Sequence, residues 1–392
     1  MKKKRLLFLS GANDSAVGYY RSRVPARALR AAGYDVTHWE EGSWYRVLRP
    51  TPERWMADNM GEFDLLFTDR EAAWETMGLL AGFRHNSPGC RMVTDTDDLF
   101  TNVPVWNKAR RRYKSGQTFE QVGLAHFRLS EVVTVSTQPL ADAFESYAHL
   151  PIHVCQNLID PADWDALPAD PERRCDPALR IFYGGASGHF GDLAAARPGL
   201  ERLLDDPPCP IRLICFAAIP AWLHEVARRH PKRVITLEWV DFKTYPQAVA
   251  WGGFDVAIAP LEPHPFNQAK SSIKFLEAAI QGIPFLCSRV GPYADIPDGC
   301  AIRVANTEEE WYEGLRALLT DPALRDSLRL RAYEAVRDQW TIDRAAETWQ
   351  PVIEDALSRP RIDSLAASAQ GILDSAEPTD LPPEPPGQAS QP

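Results

Sequence analysis

The feature that most constrains this sequence is an alternation of short, nearly continuous apolar runs with stretches long enough to form a helix. Such runs occur at 5–10, 35–39, 65–68, 91–94, 132–136 and 152–155. A second series follows at 180–183, 211–216, 234–239, 255–259, 285–288 and 301–304. A strand that is apolar on both sides must be covered on both sides, which is the mark of a parallel sheet between helical layers. The spacing agrees, because a parallel neighbour is reached only through a crossover. Two series in tandem predict two doubly wound α/β domains. At 392 residues the chain is long for one core and comfortable for two.

The break between the series falls at 156–160. There Asn157-Leu158-Ile159-Asp160-Pro161 reads as a linker, and Asp160-Pro161 as a turn that stops the preceding strand. This assigns 1–156 to an N-terminal domain and 157–340 to a C-terminal one. Helices are predicted over 308–319 and 322–339, and a last helical segment occupies 341–358, with Thr341 placed to cap it. From Arg359 the chain loses all aromatics and runs into Leu381-Pro382-Pro383-Glu384-Pro385-Pro386. Such a composition cannot bury enough surface to offset its ordering entropy, so 359–392 is expected to be a disordered tail.

Charge and cysteine usage narrow the function. A net charge of −10 argues against general nucleic-acid binding, which needs a basic face. Seven scattered cysteines show no metal-ligand spacing, and several sit in apolar runs as small hydrophobes, which fits a reducing compartment. The basic start Lys2-Lys3-Lys4-Arg5 is followed by only four apolar residues, Leu6–Leu9, too few for a secretory core. No stretch approaches a membrane span. A cytoplasmic protein is the expectation.

The segment richest in chemistry runs from Asn267 to Pro284. A helix starting near Ser272 would turn unpaired N–H groups and a positive dipole end toward an anion. Lys270, Lys274 and Glu277 follow i, i+4, i+7 spacing and share one flank, beside the apolar stripe Ile273, Leu276 and Ile280. A diphosphate at the helix start and a ribose near Glu277 would satisfy these polar groups; a solvated Lys–Glu helix face accounts for the same spacing. Tyr183-Gly184-Gly185-Ala186-Ser187-Gly188-His189 follows a strand and precedes a helix. Its glycines permit close approach of backbone to phosphate, although a plain strand-to-helix turn has the same composition. The G-x-G-x-x-G spacing and the P-loop lysine are both absent. His264, before Pro265-Phe266-Asn267, lies next to this helix, as an exposed residue or a ligand contact.

The run Lys270-Ser271-Ser272-Ile273-Lys274-Phe275-Leu276-Glu277-Ala278-Ala279, followed by Gly282-Ile283-Pro284, resembles the donor-site motif of family 4-like GT-B glycosyltransferases. The resemblance implies two Rossmann-like domains facing across a cleft, with the last helix crossing back to the first domain. It implies a nucleotide-diphosphate sugar as donor, no further cofactor and no protein-bound metal. The acceptor hydroxyl would belong to a glycan, a lipid or another molecule, and transfer would proceed with retention. Glu277 matches the ribose-binding Glu of that group, and Gly185, Ser187, Gly188, His189, Ser271, Ser272 and Lys274 would line the nucleotide. Where the group carries a second Glu, this chain has Ala269. Gly18-Tyr19-Tyr20-Arg21-Ser22-Arg23-Val24-Pro25 also resembles the group's Tyr-Arg-x-x-x-Pro run, which makes Arg21 a candidate to neutralise the leaving diphosphate with Lys270.

Asp95-Thr96-Asp97-Asp98 follows the run at 91–94, at the strand end where doubly wound sheets place ligands. Asp95 and Asp97 could handle the acceptor and its proton, hold a divalent cation as in a GT-A-like transferase, or cap the turn. Because Ala269 replaces the usual acid, a GT-B-like binding protein without transferase activity is a further expectation to test.

Overall fold

The computed structural model describes residues 3–10, 15–38, 63–69, 80, 87, 89–107, 110, 119–148, 150–164, 177–185, 187–216, 219–238 and 240–362. The expected strand residue Trp239, Cys175 and the tail beyond Ile362 lie outside the described residues.

The first series of apolar runs forms β1 (Arg5–Leu9), β2 (Asp35–His38), β3 (Leu65–Asp69), β4 (Arg91–Thr96), β5 (Val132–Val135) and β6 (Ile152–Val154). They pair in the order β2-β1-β3-β4-β5-β6, every pair parallel. The second forms β7 (Leu179–Gly184), β8 (Ile211–Phe216), β9 (Val234–Leu237), β10 (Val256–Ala259), β11 (Phe285–Ser288) and β12 (Ile302–Val304). Their order is β12-β11-β10-β7-β8-β9, again all parallel. Each sheet is flanked by helices, so the two Rossmann-like α/β domains of a GT-B fold are present. The reason is visible in β1, where Leu6, Leu7 and Phe8 are all fully buried although neighbours in a strand point to opposite faces.

β4 runs two residues further than its apolar segment, because Thr94, Asp95 and Thr96 keep pairing with β5. Asp95 therefore lies inside a strand, where the sequence places it in the turn beyond.

The chain crosses between sheets twice, and the crossings bond to each other. Ile159 N–H donates to Trp340 O at 2.8 Å, and Ile342 N–H to Ile159 O at 2.9 Å. After the second crossing, the helix Ala345–Ser358 packs on β3, β4 and β5 and on the helix Val24–Ala31 of the first domain. Trp349 meets Phe67 edge-on, with ring centres 5.5 Å apart. Docked structure continues past the expected tail start at Arg359. Arg359 O accepts from Arg91 Nε at 2.9 Å, and Ile362 N–H donates to Glu131 Oε1 at 2.9 Å. Glu131 is buried, and these neighbours help satisfy it.

Candidate functional site

Open α/β sheets bind ligands beyond the carboxyl ends of their strands, where strand order reverses. In the second sheet that point lies between β7 and β10, and in the first between β1 and β3. A cavity of about 250 Å³ sits there, lined by Gly184 at the end of β7, by Gly185 and Leu261 just beyond β7 and β10, and by Ala16, Asp97 and Asp98 of the first domain.

The helix Ile273–Ile280 forms the cavity's most chemically loaded wall. Phe275, Leu276, Ala279 and Ile280 are buried and hold it against the sheet, and Gly282 at φ +64° releases the chain after it, a conformation that favours glycine. Ser272 precedes it and makes no side-chain capping bond. Lys274, in the first turn, lines the cavity, and its Nζ is buried without a hydrogen-bond partner, 5.3 Å from the centre of the Tyr183 ring. Burial pulls this ammonium down to about 8; Lys270 pushes it the same way, while Asp192 and Glu277 oppose. Buried polar groups are as a rule bonded, so this ammonium marks a place for an anion. Lys270 lies 3.6 Å from Asp98 across the cleft and 4.5 Å from the centre of the Phe266 ring.

Glu277 is 7% exposed and accepts from Tyr20 and Tyr245, each at 3.3 Å. One tyrosine comes from each domain. Burial pushes the carboxyl up to about 7, against the lowering effect of these bonds and of Lys274. Phe216, Phe242 and Tyr245 add an aromatic wall to the same cavity.

The glycine-rich loop closes the cavity from the other side. At Gly184 an added Cβ would stand 2.9 Å from Tyr245 Oη, so a side chain there would crowd the aromatic wall. His189 Nδ1 is 2.7 Å from Asp192, which also accepts from Glu262 N–H at 3.1 Å and Asn267 Nδ2 at 2.6 Å. Burial and then Lys274 lower the imidazole to about 4, so it is neutral at pH 7. Asp192 thereby ties the loop to the segment leading into the Lys270 turn.

The structure brings Gly185, His189, Lys270, Ser271, Lys274, Glu277 and Asp97 to one cavity, and sets other expected residues elsewhere. Ser272 faces a second cavity, and Gly188 approaches Asn107 of the first domain. The side chain of Ser187 lies outside the described residues. Arg21 is 1% exposed and lines neither cavity. Its guanidinium forks onto Asp95 at 2.6 and 2.9 Å and donates to Cys155 O and to Asn157 Oδ1. It also stacks 5.5 Å from the Trp349 ring centre. Asp95 is further bonded by Thr134 at 2.6 Å, so its carboxylate is spent on neighbours and presents no ligand face. Among the described residues no group of three or more His, Cys, Asp or Glu is placed to hold a metal ion. His264 caps the short helix Pro265–Gln268, accepting from Phe266 N–H at 3.1 Å.

Sequence reasoning missed Tyr20, Tyr245, Phe242, Phe216 and Asp192. The available signal was the aromatic spacing of Phe242 and Tyr245 just beyond the run at 234–239, at a strand's carboxyl end.

Fold and cavity together define the architecture: a GT-B fold of two Rossmann-like domains with a cavity between them. A family profile described as Glycosyl transferase-like matches residues 200–350. Among solved structures, a glycosyltransferase of Rickettsia africae is 13% identical, with a TM-score of 0.62 over 92% of this chain and 100% of that one. Sucrose-phosphate synthase of Thermosynechococcus elongatus is 14% identical, with a TM-score of 0.64 over 90% and 98%. HepE of Anabaena, solved with UDP and glucose, is 13% identical, with a TM-score of 0.63 over 90% and 100%. No curated protein matches the sequence. Among the described residues, no helix is long and apolar enough to cross a membrane.

Proposed function

We propose that this protein is a nucleotide-sugar-dependent glycosyltransferase whose donor occupies the cavity beside the helix Ile273–Ile280. The diphosphate lies at the helix start against Lys274 and Lys270, with the backbone of Gly184 and Gly185 opposite. The ribose hydroxyls reach Glu277, and the base packs on Phe216, Phe242 and Tyr245. The first domain presents an acceptor hydroxyl. Its oxygen bonds to the sugar's anomeric carbon while the bond from that carbon to the diphosphate breaks. The electron pair leaves on the diphosphate, and the hydroxyl proton passes to that group or to solvent. Lys274 and Lys270 stabilise the charge that develops on it. Following the sequence resemblance, transfer proceeds with retention.

The observation that carries this reading is the buried, unpartnered ammonium of Lys274 in the cavity wall. HepE, solved with UDP and glucose in the same fold, makes UDP the first probe. Calorimetric titration should show UDP binding the wild type, and Lys274→Ala weakening it at least about tenfold, the scale of a lost charge-assisted hydrogen bond. Equal affinity in the two proteins would remove the phosphate from this wall.

A second reading, a nucleotide-binding protein without turnover, is favoured by Ala269. It stands buried where the resembling enzymes carry an acid, and its carbonyl accepts from Thr137 Oγ1 at 2.7 Å. Incubation with UDP-glucose separates the two: release of UDP from the sugar nucleotide marks an enzyme, and binding without release marks the second reading.

A further inference from the structure

A second cavity, of about 430 Å³, shares only Lys270 and Ser271 with the first. Its size is within the ~300–1,000 Å³ of small-ligand sites. Both domains build it: Ser136 and Gln156 follow β5 and β6, Asn157 opens the linker, and Ser272 and Trp340 come from beyond it.

Two groups on its walls have hydrogen-bonding capacity to spare. Ser136 is 2% exposed, and its Oγ is buried with no partner in the protein. The second is Ser271, and Arg21 explains why. A guanidinium only donates, so the Asn157 oxygen that meets Arg21 at 2.9 Å must accept, and the amide is locked in one orientation. Asn157 Nδ2 then donates to Ser271 Oγ at 2.8 Å. Ser271 is an acceptor in that bond and keeps its own O–H for a ligand. Arg21 thus acts at a distance, as a positioning residue for a hydroxyl that borders both cavities.

The charge on these walls is small. Lys270 is engaged by Asp98, and Asp295 is exposed at the edge. Hydroxyls and amides make up the other polar lining. Trp340 and Phe275, edge to face at 6.3 Å, supply apolar surface with Pro292. Spare hydroxyls beside aromatic rings suit a molecule with several hydroxyls, apolar C–H faces and no charge.

We propose that the second cavity binds a neutral polyol, a sugar or a cyclitol. Where the first cavity holds a nucleotide sugar this polyol is the acceptor, and the two ligands meet at Lys270 and Ser271; this clause alone rests on the glycosyltransferase reading.

The test is a saturation-transfer NMR titration of the full chain with glucose, mannose, galactose, myo-inositol and glucose 6-phosphate, each with and without UDP. At least one neutral polyol should bind, and glucose 6-phosphate should bind more weakly than it. Ser136→Ala should weaken polyol binding about fivefold, the scale of one hydrogen bond. Gln156→Trp, filling the exposed rim, should abolish it. UDP affinity should be unchanged in both variants. The proposal is overturned if no neutral polyol binds, if glucose 6-phosphate binds more tightly, or if Gln156→Trp binds polyol as well as wild type does. Should UDP bind nowhere, the nucleotide reading falls, and the titrations without UDP still decide this one.

Discussion

Lys274 and Glu277 sit one turn apart, and burial drives both toward their neutral forms, the ammonium down to about 8 and the carboxyl up to about 7. The signs matter for stability. For Glu277 the folded state holds its proton longer than the unfolded chain, so its stabilising contribution is present at low pH and lost as pH rises toward 7. Lys274 gives up its proton early, so its penalty is present below about 8 and relieved as pH rises toward the ordinary lysine range. A diphosphate against Lys274 favours the ammonium and raises its pKa. Nucleotide binding should therefore take up protons near pH 8, and affinity should fall as pH rises beyond it. Calorimetry of UDP in buffers of differing ionisation enthalpy reads that uptake directly; Lys274→Arg, which stays charged, should show none. Arg21 makes a separate prediction. Arg21→Met leaves the buried carboxylate of Asp95 without its guanidinium, which should cost about 3–5 kcal/mol in urea unfolding. A loss below about 1 kcal/mol, the scale of a surface pair, would mean that the pair is solvated in solution.

The helix Ala345–Ser358 follows the second domain in sequence, yet its buried face belongs to the first. Trp349, Val352, Ile353 and Ala356 lie at the spacing of one helical stripe and are all buried. Trp349 packs on Phe67 and under the Arg21 guanidinium, so it joins the helix to the same knot that orients Asn157. Trp349→Ala should cost about 3–5 kcal/mol, the range for deleting a buried aromatic. Thermal unfolding followed by tryptophan fluorescence and circular dichroism measures it, and an unshifted melting temperature would show that the helix is not docked. The helix Ile273–Ile280 is the opposite kind of element, packed on its own domain and presenting its first turn to the cleft, where Tyr20 of the first domain bonds Glu277.

At the scale of the molecule, the two domains touch through polar pairs set on both sides of the cleft. Tyr20 reaches Glu277, Thr137 reaches the carbonyl of Ala269, and Asn157 of the linker bridges Arg21 to Ser271. The described residues continue past the last helix to Ile362, where Glu131 accepts from Met92 and Ile362. Truncation after Ile362 removes a segment rich in proline and free of aromatics, and should leave the melting temperature and UDP affinity unchanged. Truncation after Ser358 also removes the amide that meets Glu131 and the carbonyl that meets Arg91, and should cost about 1–3 kcal/mol. Equal melting temperatures for the two truncations would show that residues 359–362 do not hold the body together.

Much of this protein was legible locally. All twelve apolar runs lie on strands, because burial on both faces imposes an unbroken apolar pattern that a short window detects. The release of the helix Ile273–Ile280 at Gly282 is local in the same way, written in the backbone preference of glycine at positive φ. The strand end at Asp95 was misjudged because its carboxylate is satisfied across the fold, by Arg21 at a separation of 74 residues. Arg21 itself read as a phosphate ligand from its place in a Tyr-Arg-x-x-x-Pro run, and such a run carries no mark of whether its arginine will be buried. Glu277 stands out in the sequence by its spacing to two lysines, but its tyrosine partners stand 257 and 32 residues away. The sequence by itself determined which segments become strands and helices, because those choices rest on neighbours along the chain. Only the tertiary structure decided which polar groups neutralise one another and which remain free for a ligand, because that depends on the distant faces that two packed sheets bring together.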